Sequence, residues 1–391
     1  MNQVLNLRDI DSSQILGSAY LLGSSADHLN DIYEDAAENE GHEHWQDSPS
    51  EIALHDYRDY LGKREYQRAW VDFFEDQLVL YGYDWKAVVT KFLFEKGPRN
   101  AANSSPIFNS LTGGLGHPLI HLGYAYELNS KEVAMEALGL GATCYDPTLA
   151  ALLESSLPHT STANPLTYST SNIFEVLARC NGDLRLDGTF KHYGGDNLSR
   201  LLSDPVLTAI LLEHWSAWKI TDPKAQFEQS QRLATALLIA SAPSVGGHGY
   251  DFFLVHLLTT SHAVRILIPF LPPKYHVTLV REWWLITLAI YIAQLRPVVK
   301  LEYVRDVDLH GRDWKWVDSQ ALDGKHNLDA HFVKALRAMK EAAAVWGDDD
   351  QYFLKAAVKF AGEFTGWGGF GAADENEEAE KQRTRQREGF A

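Results

Sequence analysis

Apolar side chains recur at three- and four-residue steps along most of the chain, which is the spacing of one face of an α-helix. A clear example is residues 52–80, where Tyr57, Trp70, Phe73 and Phe74 are separated by charged side chains. Few segments alternate apolar and polar residues one by one. No strand–helix–strand rhythm and no repeat of about 20–50 residues is found. The pattern therefore predicts an all-α protein.

Glycine, proline and polar breaks divide this pattern into successive helices. Helices are predicted over residues 10–23, 27–35, 52–80, 85–95, 131–144, 173–180, 207–218, 227–240, 251–267, 279–295, 329–346 and 351–364. Residues 147–170 are expected to combine a helix with a connection, and 182–197 and 297–327 to be less regular. No linker divides the chain, so we expect one large helical domain over 1–372 and a charged, disordered tail over 373–391.

The most apolar run, residues 283–295, is shorter than the roughly 18 residues that a membrane-spanning helix needs. We therefore predict a buried core helix and no membrane partner. The first residues lack a basic segment followed by an apolar run, so no signal peptide is expected. Cys144 and Cys180 are the two cysteines, too few for a disulfide framework, which indicates a reducing, cytoplasmic location.

The composition narrows the range of partners. The 391 residues carry 52 acidic and 35 basic side chains, for a net charge of −17. Because nucleic-acid binding needs a basic surface, this balance argues against such a partner. Aromatic residues make up 12% of the chain, including eleven Trp and seventeen Tyr. Such side chains often line pockets for flat aromatic ligands.

Residues 113–127, GGLGHPLIHLGYAYE, hold two histidines four positions apart, His117 and His121. Pro118 suits the first turn of a helix, so His117 is expected at the helix start and His121 about one turn further on. Both imidazoles can then face one point, as in a metal site. Two hydrogen-bonded core histidines would give the same pattern.

Further candidate ligands lie in two apolar helices, His256 and His262 in one, and His331 with Lys334 in the other. Each histidine alone is more often a core residue, and Lys334 also fits an ordinary amphipathic helix. Neutral imidazoles are good ligands for iron, copper or zinc. A site of two histidines and one carboxylate would need an acid. Among the acids, Glu127 and Asp251 are nearest in sequence, although neither completes a known spacing.

Several catalytic motifs are absent from the sequence, namely G-x-S-x-G, GxxxxGK[ST] and H-E-x-x-H. One G-x-G-x-x-G string is present, at Gly366, Gly368 and Gly371. It follows a predicted helix, whereas a dinucleotide fingerprint follows a strand, so we interpret it as a turn. His42 and His44 lie in a polar loop, and their spacing is more typical of solvated residues than of a site.

Four strings in the chain resemble the questin oxidase-like family, which is found mainly in fungal polyketide clusters. They are YLGKREYQ, GGLGHPLIHLGYAYE, DFFLVHLLTTSHAVRILIP and DAHFVKALRA, and the similarity extends over residues 15–364. Members of this family open the central ring of anthraquinones. The resemblance implies an oxidoreductase in secondary metabolism that takes an aromatic polyketide and O₂. It would be either an NADPH-dependent Baeyer–Villiger-type monooxygenase or a non-haem iron dioxygenase.

The resemblance also implies a ligand set for iron. By motif position the ligands would be His117, His121, His256, His331 and a carboxylated Lys334, with Lys355 as the reserve for that lysine.

Two features depart from the family. Residues 10–23 correspond to a histidine-rich helix in the family but contain no histidine. Either the sequence starts within the family's N-terminal region or one ligand is missing. The implied NADPH has no Rossmann fingerprint to support it. The alternative function is therefore a degenerate, non-catalytic helical protein that binds a polyketide.

Overall fold

The computed structural model describes residues 11–39, 47–98, 103–156, 168–241 and 249–371. These residues form one α-helix after another, which confirms the predicted fold class. Seventeen α-helices are found in the described ranges, together with six short 3₁₀ turns and two strands of two residues each. The predicted tail and the loop with His42 and His44 lie outside the described residues.

The first eight helices cover the part of the chain before residue 182. They are α1 (Ser12–Leu21), α2 (Ala26–Asn39), α3 (Gln67–Leu80), α4 (Trp85–Phe94), α5 (His117–Leu128), α6 (Lys131–Thr143), α7 (Pro147–Ser156) and α8 (Ile173–Asn181).

The remaining helices follow residue 195. They are α9 (Asp196–Ser203), α10 (Pro205–Ala217), α11 (Phe227–Ile239), α12 (Phe252–Leu267), α13 (His276–Ala293), α14 (Glu302–Arg305), α15 (Trp314–Asp323), α16 (Ala330–Trp346) and α17 (Tyr352–Glu363). Strand β1 (Tyr250–Asp251) pairs in parallel with β2 (Trp367–Gly368). The string of Gly366, Gly368 and Gly371 therefore closes the fold beside the start of α12.

One predicted helix, residues 52–80, is wrong in its first half. The structure has 3₁₀ turns at Tyr57–Tyr60 and Arg64–Tyr66, and an α-helix only from Gln67. Gly62 causes the break because it has a positive φ of 80°. A Cβ atom on it would lie 2.7 Å from the carbonyl oxygen of Tyr145. The close approach of another segment therefore replaces the helix that the apolar spacing predicts.

The segment predicted to be less regular, residues 297–327, contains α14 and α15. Asp313 is the N-cap of α15, and its carboxylate accepts a hydrogen bond from the backbone N–H of Trp316. An aspartate at this position satisfies an N–H group that has no partner within the helix. The sequence signal was thus a local cap, which the apolar pattern alone does not reveal.

The core is organised around α12, which packs against α5, α11, α13 and α16. Its side chains are buried without interruption from Leu254 to Val264. Helix α13 contains most of the apolar run, and Trp283 and Trp284 in it are fully buried, as the sequence predicts. No helix in the described part of the chain is long and apolar enough to cross a membrane. Helix α1 packs across α5 and α16 and so closes the space between them.

Candidate metal centre

Three central helices each bring one histidine to the same point. His117 starts α5, His256 lies in the second turn of α12, and His331 lies in the first turn of α16. Their side chains are buried, and one ring nitrogen from each lies within 4.8 Å of the other two. These three residues form a histidine triad. Among the histidine, cysteine and acidic side chains of the described residues, it is the group that could hold a metal ion.

Hydrogen bonds to the backbone fix the orientation of two of these rings. The Nδ1 atom of His117 lies 2.7 Å from the carbonyl oxygen of Gly114, and that of His256 lies 2.7 Å from the carbonyl oxygen of Phe252. A carbonyl only accepts, so each Nδ1 carries the proton and each Nε2 presents a lone pair. Metal-binding histidines are commonly oriented in this way.

The Nε2 atoms of these histidines lie close together in the buried interior. The Nε2 atoms of His256 and His331 are 3.2 Å apart. The Nε2 atom of His117 is buried and has no hydrogen-bond partner among the described residues. Buried polar atoms are almost always paired, so this arrangement of three ring nitrogens is one that could hold a metal ion.

Burial keeps the imidazoles of His256 and His331 neutral. It lowers the pKa of His331 to about 3 against the opposing effect of Asp11, and it lowers the pKa of His256 well below its usual value. The neighbouring histidines lower the pKa of His256 further. Because a metal ion binds the neutral ring, these two side chains are in the form that can bind a metal at ordinary pH.

The carboxylate of this site is Asp11, which the sequence analysis missed. Its Oδ2 atom lies 3.3 Å from the Nε2 atom of His331, and its Oδ1 atom lies 3.6 Å from the Nε2 atom of His117. Burial would raise the pKa of Asp11, but His331 and Lys334 beside it lower that pKa well below its usual value. In the sequence an aspartate before an apolar helix indicates only a cap.

The two acids considered from the sequence have other roles. Asp251 caps α12 by accepting hydrogen bonds from the backbone N–H groups of Phe253 and Leu254. Glu127 lies ten residues after His117 on α5 and accepts a hydrogen bond from Arg337. Neither carboxylate belongs to the group of residues around His117.

Lys334 is buried beside Asp11. Its Nζ atom donates to Asp11 Oδ1 at 2.5 Å and to Gln14 Oε1 at 2.6 Å. Gln14 in turn places its Nε2 atom 2.8 Å from the Nδ1 atom of His121. The side chains of α1 therefore connect Lys334 to both histidines of α5.

His121 lies one helical turn beyond His117 and outside the group of three converging ring nitrogens. Its Nδ1 atom is occupied by Gln14 and lies 2.9 Å from the carbonyl oxygen of His117. Its Nε2 atom is 3.8 Å from Glu136, and burial lowers its pKa to about 4. Lys355 is elsewhere, since its Nζ atom donates to the carbonyl oxygen of Arg305.

Two glycines, Gly116 just before α5 and Gly123 within it, allow the close approach of α5 to α12. Gly116 has a φ of 83°, and a Cβ atom on it would lie 2.3 Å from the side chain of Thr260 on α12. A Cβ atom on Gly123 would lie 2.8 Å from that of Ala263. Because both contacts are with α12, these glycines set the distance between His117 and His256.

A second polar cluster lies further along the same three helices. It consists of Glu127 on α5, His262 on α12 and Arg337 on α16. Arg337 donates to Glu127, and its Nη1 atom is 3.3 Å from the Nε2 atom of His262. The three helices that present the triad are thus connected at two levels.

Comparison with known proteins places the chain in a family. A family profile described as Questin oxidase-like matches residues 12–339. The chain belongs to the questin oxidase-like family. It is 25% identical over 338 residues to the "Baeyer-Villiger oxidase AgnL3" of Paecilomyces divaricatus, which covers 83% of this chain and 71% of that protein.

Two further relatives carry names of the same kind. The chain is 26% identical over 302 residues to "Questin oxidase" of Aspergillus terreus, which covers 74% of this chain and 64% of that protein. It is 24% identical over 300 residues to "Baeyer-Villiger oxidase GME11358" of Pestalotiopsis microspora, which covers 73% of this chain and 65% of that protein. The chain thus spans less than two thirds of these two relatives.

In this questin oxidase-like protein, aromatic rings connect the histidines to the surface. The Phe252 ring lies 4.6 Å from that of His331 and 4.9 Å from that of His256. Phe370, which is 40% exposed, lies 5.1 Å from Phe252. Trp367 flanks His331 at 5.9 Å. These rings form the apolar side of the candidate site, at the point where the glycine string ends.

Proposed function

We propose that this protein is an oxygenase that opens a ring of an anthraquinone-like aromatic polyketide. In this proposal the chemistry takes place at a non-haem iron ion held by His117, His256 and His331. The observation that carries the proposal is the convergence of three buried imidazoles from three helices on one point. The names of the relatives support the reaction class, since they describe questin and Baeyer–Villiger oxidases.

The residues present fit a metal ion. The unpartnered Nε2 atom of His117 and the facing Nε2 atoms of His256 and His331 are nitrogen donors of the kind that iron accepts. A bound iron ion would supply the activation of O₂. The family resemblance adds His121 and Lys334 to the ligand set. The side chain of Gln14 contacts both of these residues.

The protein's own residues would hold and shield the site. The carbonyl groups of Gly114 and Phe252 hold two imidazole rings in their orientation. The buried helices around the triad exclude water from the reacting atoms. Phe252 and Trp367 offer ring faces against which a flat polycyclic substrate would stack.

The two versions of the reaction differ in their use of oxygen. In a Baeyer–Villiger-type reaction, one oxygen atom is inserted into the bond between a carbonyl carbon and its ring neighbour. The other atom leaves as water, with two electrons and two protons from a reductant such as NADPH. In a dioxygenase reaction both atoms enter the product and no external reductant is consumed. The substrate is oxidised in both.

The test combines metal analysis with oxygen uptake. Purified protein is expected to contain stoichiometric iron, and His117→Ala is expected to lose it, while the exposed His55→Ala retains it. Oxygen uptake is then measured with a panel of anthraquinones, with and without NADPH. Labelling with ¹⁸O₂ distinguishes the reactions, since the product gains one labelled atom in the first and two in the second.

Two outcomes would contradict the proposal. If metal-free protein still consumes O₂, the reaction does not require iron, and an NADPH-type mechanism is favoured. Protein that binds an anthraquinone without oxygen uptake or product would support the alternative of a non-catalytic binding protein.

A further inference from the structure

Asp11 stands at the N-cap of α1 but does not cap it. Aspartate at this position usually accepts a hydrogen bond from a backbone N–H of the first turn. Here its side chain makes no such bond, although its carbonyl oxygen accepts from the backbone N–H groups of Gln14 and Ile15. The carboxylate is 4% exposed and points away from the helix. Because the buried carboxylate does not cap α1, its partners lie on other helices.

The partners of Asp11 are His331, His117 and Lys334. One oxygen lies 3.3 Å from the Nε2 atom of His331, and the other lies 2.5 Å from the Nζ atom of Lys334. The carboxylate therefore lies between the Nζ atom of Lys334 and the Nε2 atoms of His331 and His117. An anionic oxygen in this place is what a divalent ion among neutral histidines requires.

We infer that Asp11 is the anionic ligand of the metal centre in this chain and that Lys334 is a positioning residue rather than a carboxylated ligand. The inference rests on the proposed metal function. It assigns to the N-terminal helix, which has no histidine, the charge that the resemblance assigns to a modified lysine.

The hydrogen bonds of Lys334 support this assignment. Both neighbours of its Nζ atom, Asp11 Oδ1 and Gln14 Oε1, are acceptors, so the nitrogen must carry hydrogens. A carboxylated Nζ would keep only one hydrogen for these two acceptors and would add a second anionic group beside the Asp11 carboxylate. Two carboxylates in a buried site repel each other. The cavity is thus built for one carboxylate and one amine.

The remaining contacts indicate how Lys334 would position Asp11. Because Gln14 Oε1 accepts from Lys334, its amide nitrogen is the group that donates to His121. The Nδ1 atom of His121 lies against both this amide nitrogen and the carbonyl oxygen of His117, so it is not available to a metal. Lys334 and His121 together fix Gln14, and Lys334 with Gln14 fixes the direction of the Asp11 carboxylate.

The first experiment measures metal binding by isothermal titration with Co²⁺, which needs no catalytic turnover. Asp11→Asn keeps the shape and removes the charge, and is expected to weaken binding more than any Lys334 variant. Lys334→Met is expected to weaken it about 10- to 100-fold, the usual effect of an orienting neighbour. Lys334→Arg restores a cationic donor and should recover part of this loss. Exposed Asp27→Asn is the matched control.

The second experiment tests the modification directly. Wild-type protein is incubated with ¹³C-bicarbonate and its carbamate carbon is sought by NMR, with Lys334→Met as the reference. We expect no signal that depends on Lys334, and a Co²⁺ affinity that is unchanged when CO₂ and bicarbonate are removed. A signal that is lost in Lys334→Met would overturn the inference.

The two proposals fail in different ways. If wild-type protein takes up no Co²⁺ or Fe²⁺, the proposed metal function fails, and the ligand role of Asp11 fails with it. If wild type and Asp11→Asn bind metal equally, only the inference fails. If Lys334→Arg and Lys334→Met are equally impaired and binding depends on bicarbonate, the carboxylated lysine is the ligand. Thermal unfolding of each metal-free variant reports whether it is folded.

Discussion

The Nε2 atoms of His256 and His331 face each other at 3.2 Å, although the residues are 75 positions apart. The Nδ1 proton of His256 is committed to the carbonyl oxygen of Phe252, so its Nε2 atom has only a lone pair. Such a pair of nitrogens is stabilised either by a shared proton or by a cation between them. The stability of the fold should therefore respond to metal.

A metal ion is expected to stabilise the folded protein through these two histidines. At a Co²⁺ concentration 100 times the dissociation constant, the free energy of unfolding should rise by about 2.7 kcal/mol. His256→Ala and His331→Ala should abolish this gain. Urea unfolding with Co²⁺ and with EDTA measures it. The exposed His55→Ala should keep the full effect, and a gain that persists in both triad variants would disprove the site.

Gly123→Ala is expected to separate α5 from α12. The new Cβ atom would lie 2.8 Å from that of Ala263, a distance that ordinary contacts do not reach. Overpacking of this kind lowers the free energy of unfolding by about 1–3 kcal/mol. Because His117 and His256 lie on these two helices, the affinity for Co²⁺ should fall as well. Urea unfolding and titration with Co²⁺ measure the two effects.

The matched control is Gly139→Ala on α6. A Cβ atom there meets no other atom within 4 Å, and alanine favours a helix over glycine. We expect this variant to gain about 0.4–1 kcal/mol of stability and to bind metal normally. Equal behaviour of the two alanine variants would show that the contact with Ala263 is irrelevant to the site.

Most of the fold follows from the spacing of apolar residues, and the failures have local causes. The helix predicted over 251–267 is found as α12 because Asp251 caps it where the apolar pattern starts. The helix predicted over 52–80 fails because Gly62 packs against the backbone of Tyr145. That contact joins segments far apart in sequence, and no periodicity within either segment can indicate it.

The site was predictable only in part for the same reason. The sequence marks His117 by its proline and glycine neighbours, but His256 and His331 read as ordinary members of apolar helices. Their place beside His117 depends on the packing of three helices. Asp11 gave no signal at all, because its decisive contact is with Lys334, 323 positions away. Local patterns identify such a residue only as a helix cap.

Glu282 should make stability fall as pH rises. Burial raises its pKa to about 8, against hydrogen bonds from Thr112. Between an unfolded pKa near 4.5 and the folded value, only the unfolded state loses the proton, so stability decreases across this range. Each pKa unit corresponds to about 1.4 kcal/mol. Glu282→Gln, which stays neutral, should gain stability relative to wild type as pH rises from 5 to 8.

This prediction is checked by urea unfolding of wild type and Glu282→Gln at several pH values. The difference between the two proteins should grow with pH and level off above pH 8. A constant difference would mean that the Glu282 carboxyl group does not stay protonated in the folded state. The Thr112 N–H can still donate to the amide oxygen of the variant, so the packing is retained.

Arg337→Met should destabilise the protein more than the loss of both charged partners. Glu127 is largely buried and accepts from Arg337, while His262 and Arg337 lower the pKa of Glu127 to about 2 against the effect of burial. Removing Arg337 alone leaves a carboxylate without its cation, which typically costs about 3–5 kcal/mol. In Glu127→Leu with Arg337→Met no charge is left unpaired. We therefore expect the double variant to recover at least half of the loss.

Urea unfolding of the single and double variants measures this coupling, and the exposed Arg305→Met sets the scale of a surface pair. The surface change should alter stability by about 0.5 kcal/mol or less. Since Glu127 and Arg337 lie on the helices that carry His117 and His331, the single variant should also bind Co²⁺ more weakly than the double variant. Additive losses would mean that the two side chains act independently. The cluster of Glu127, His262 and Arg337 would then have no part in holding the histidine triad in place.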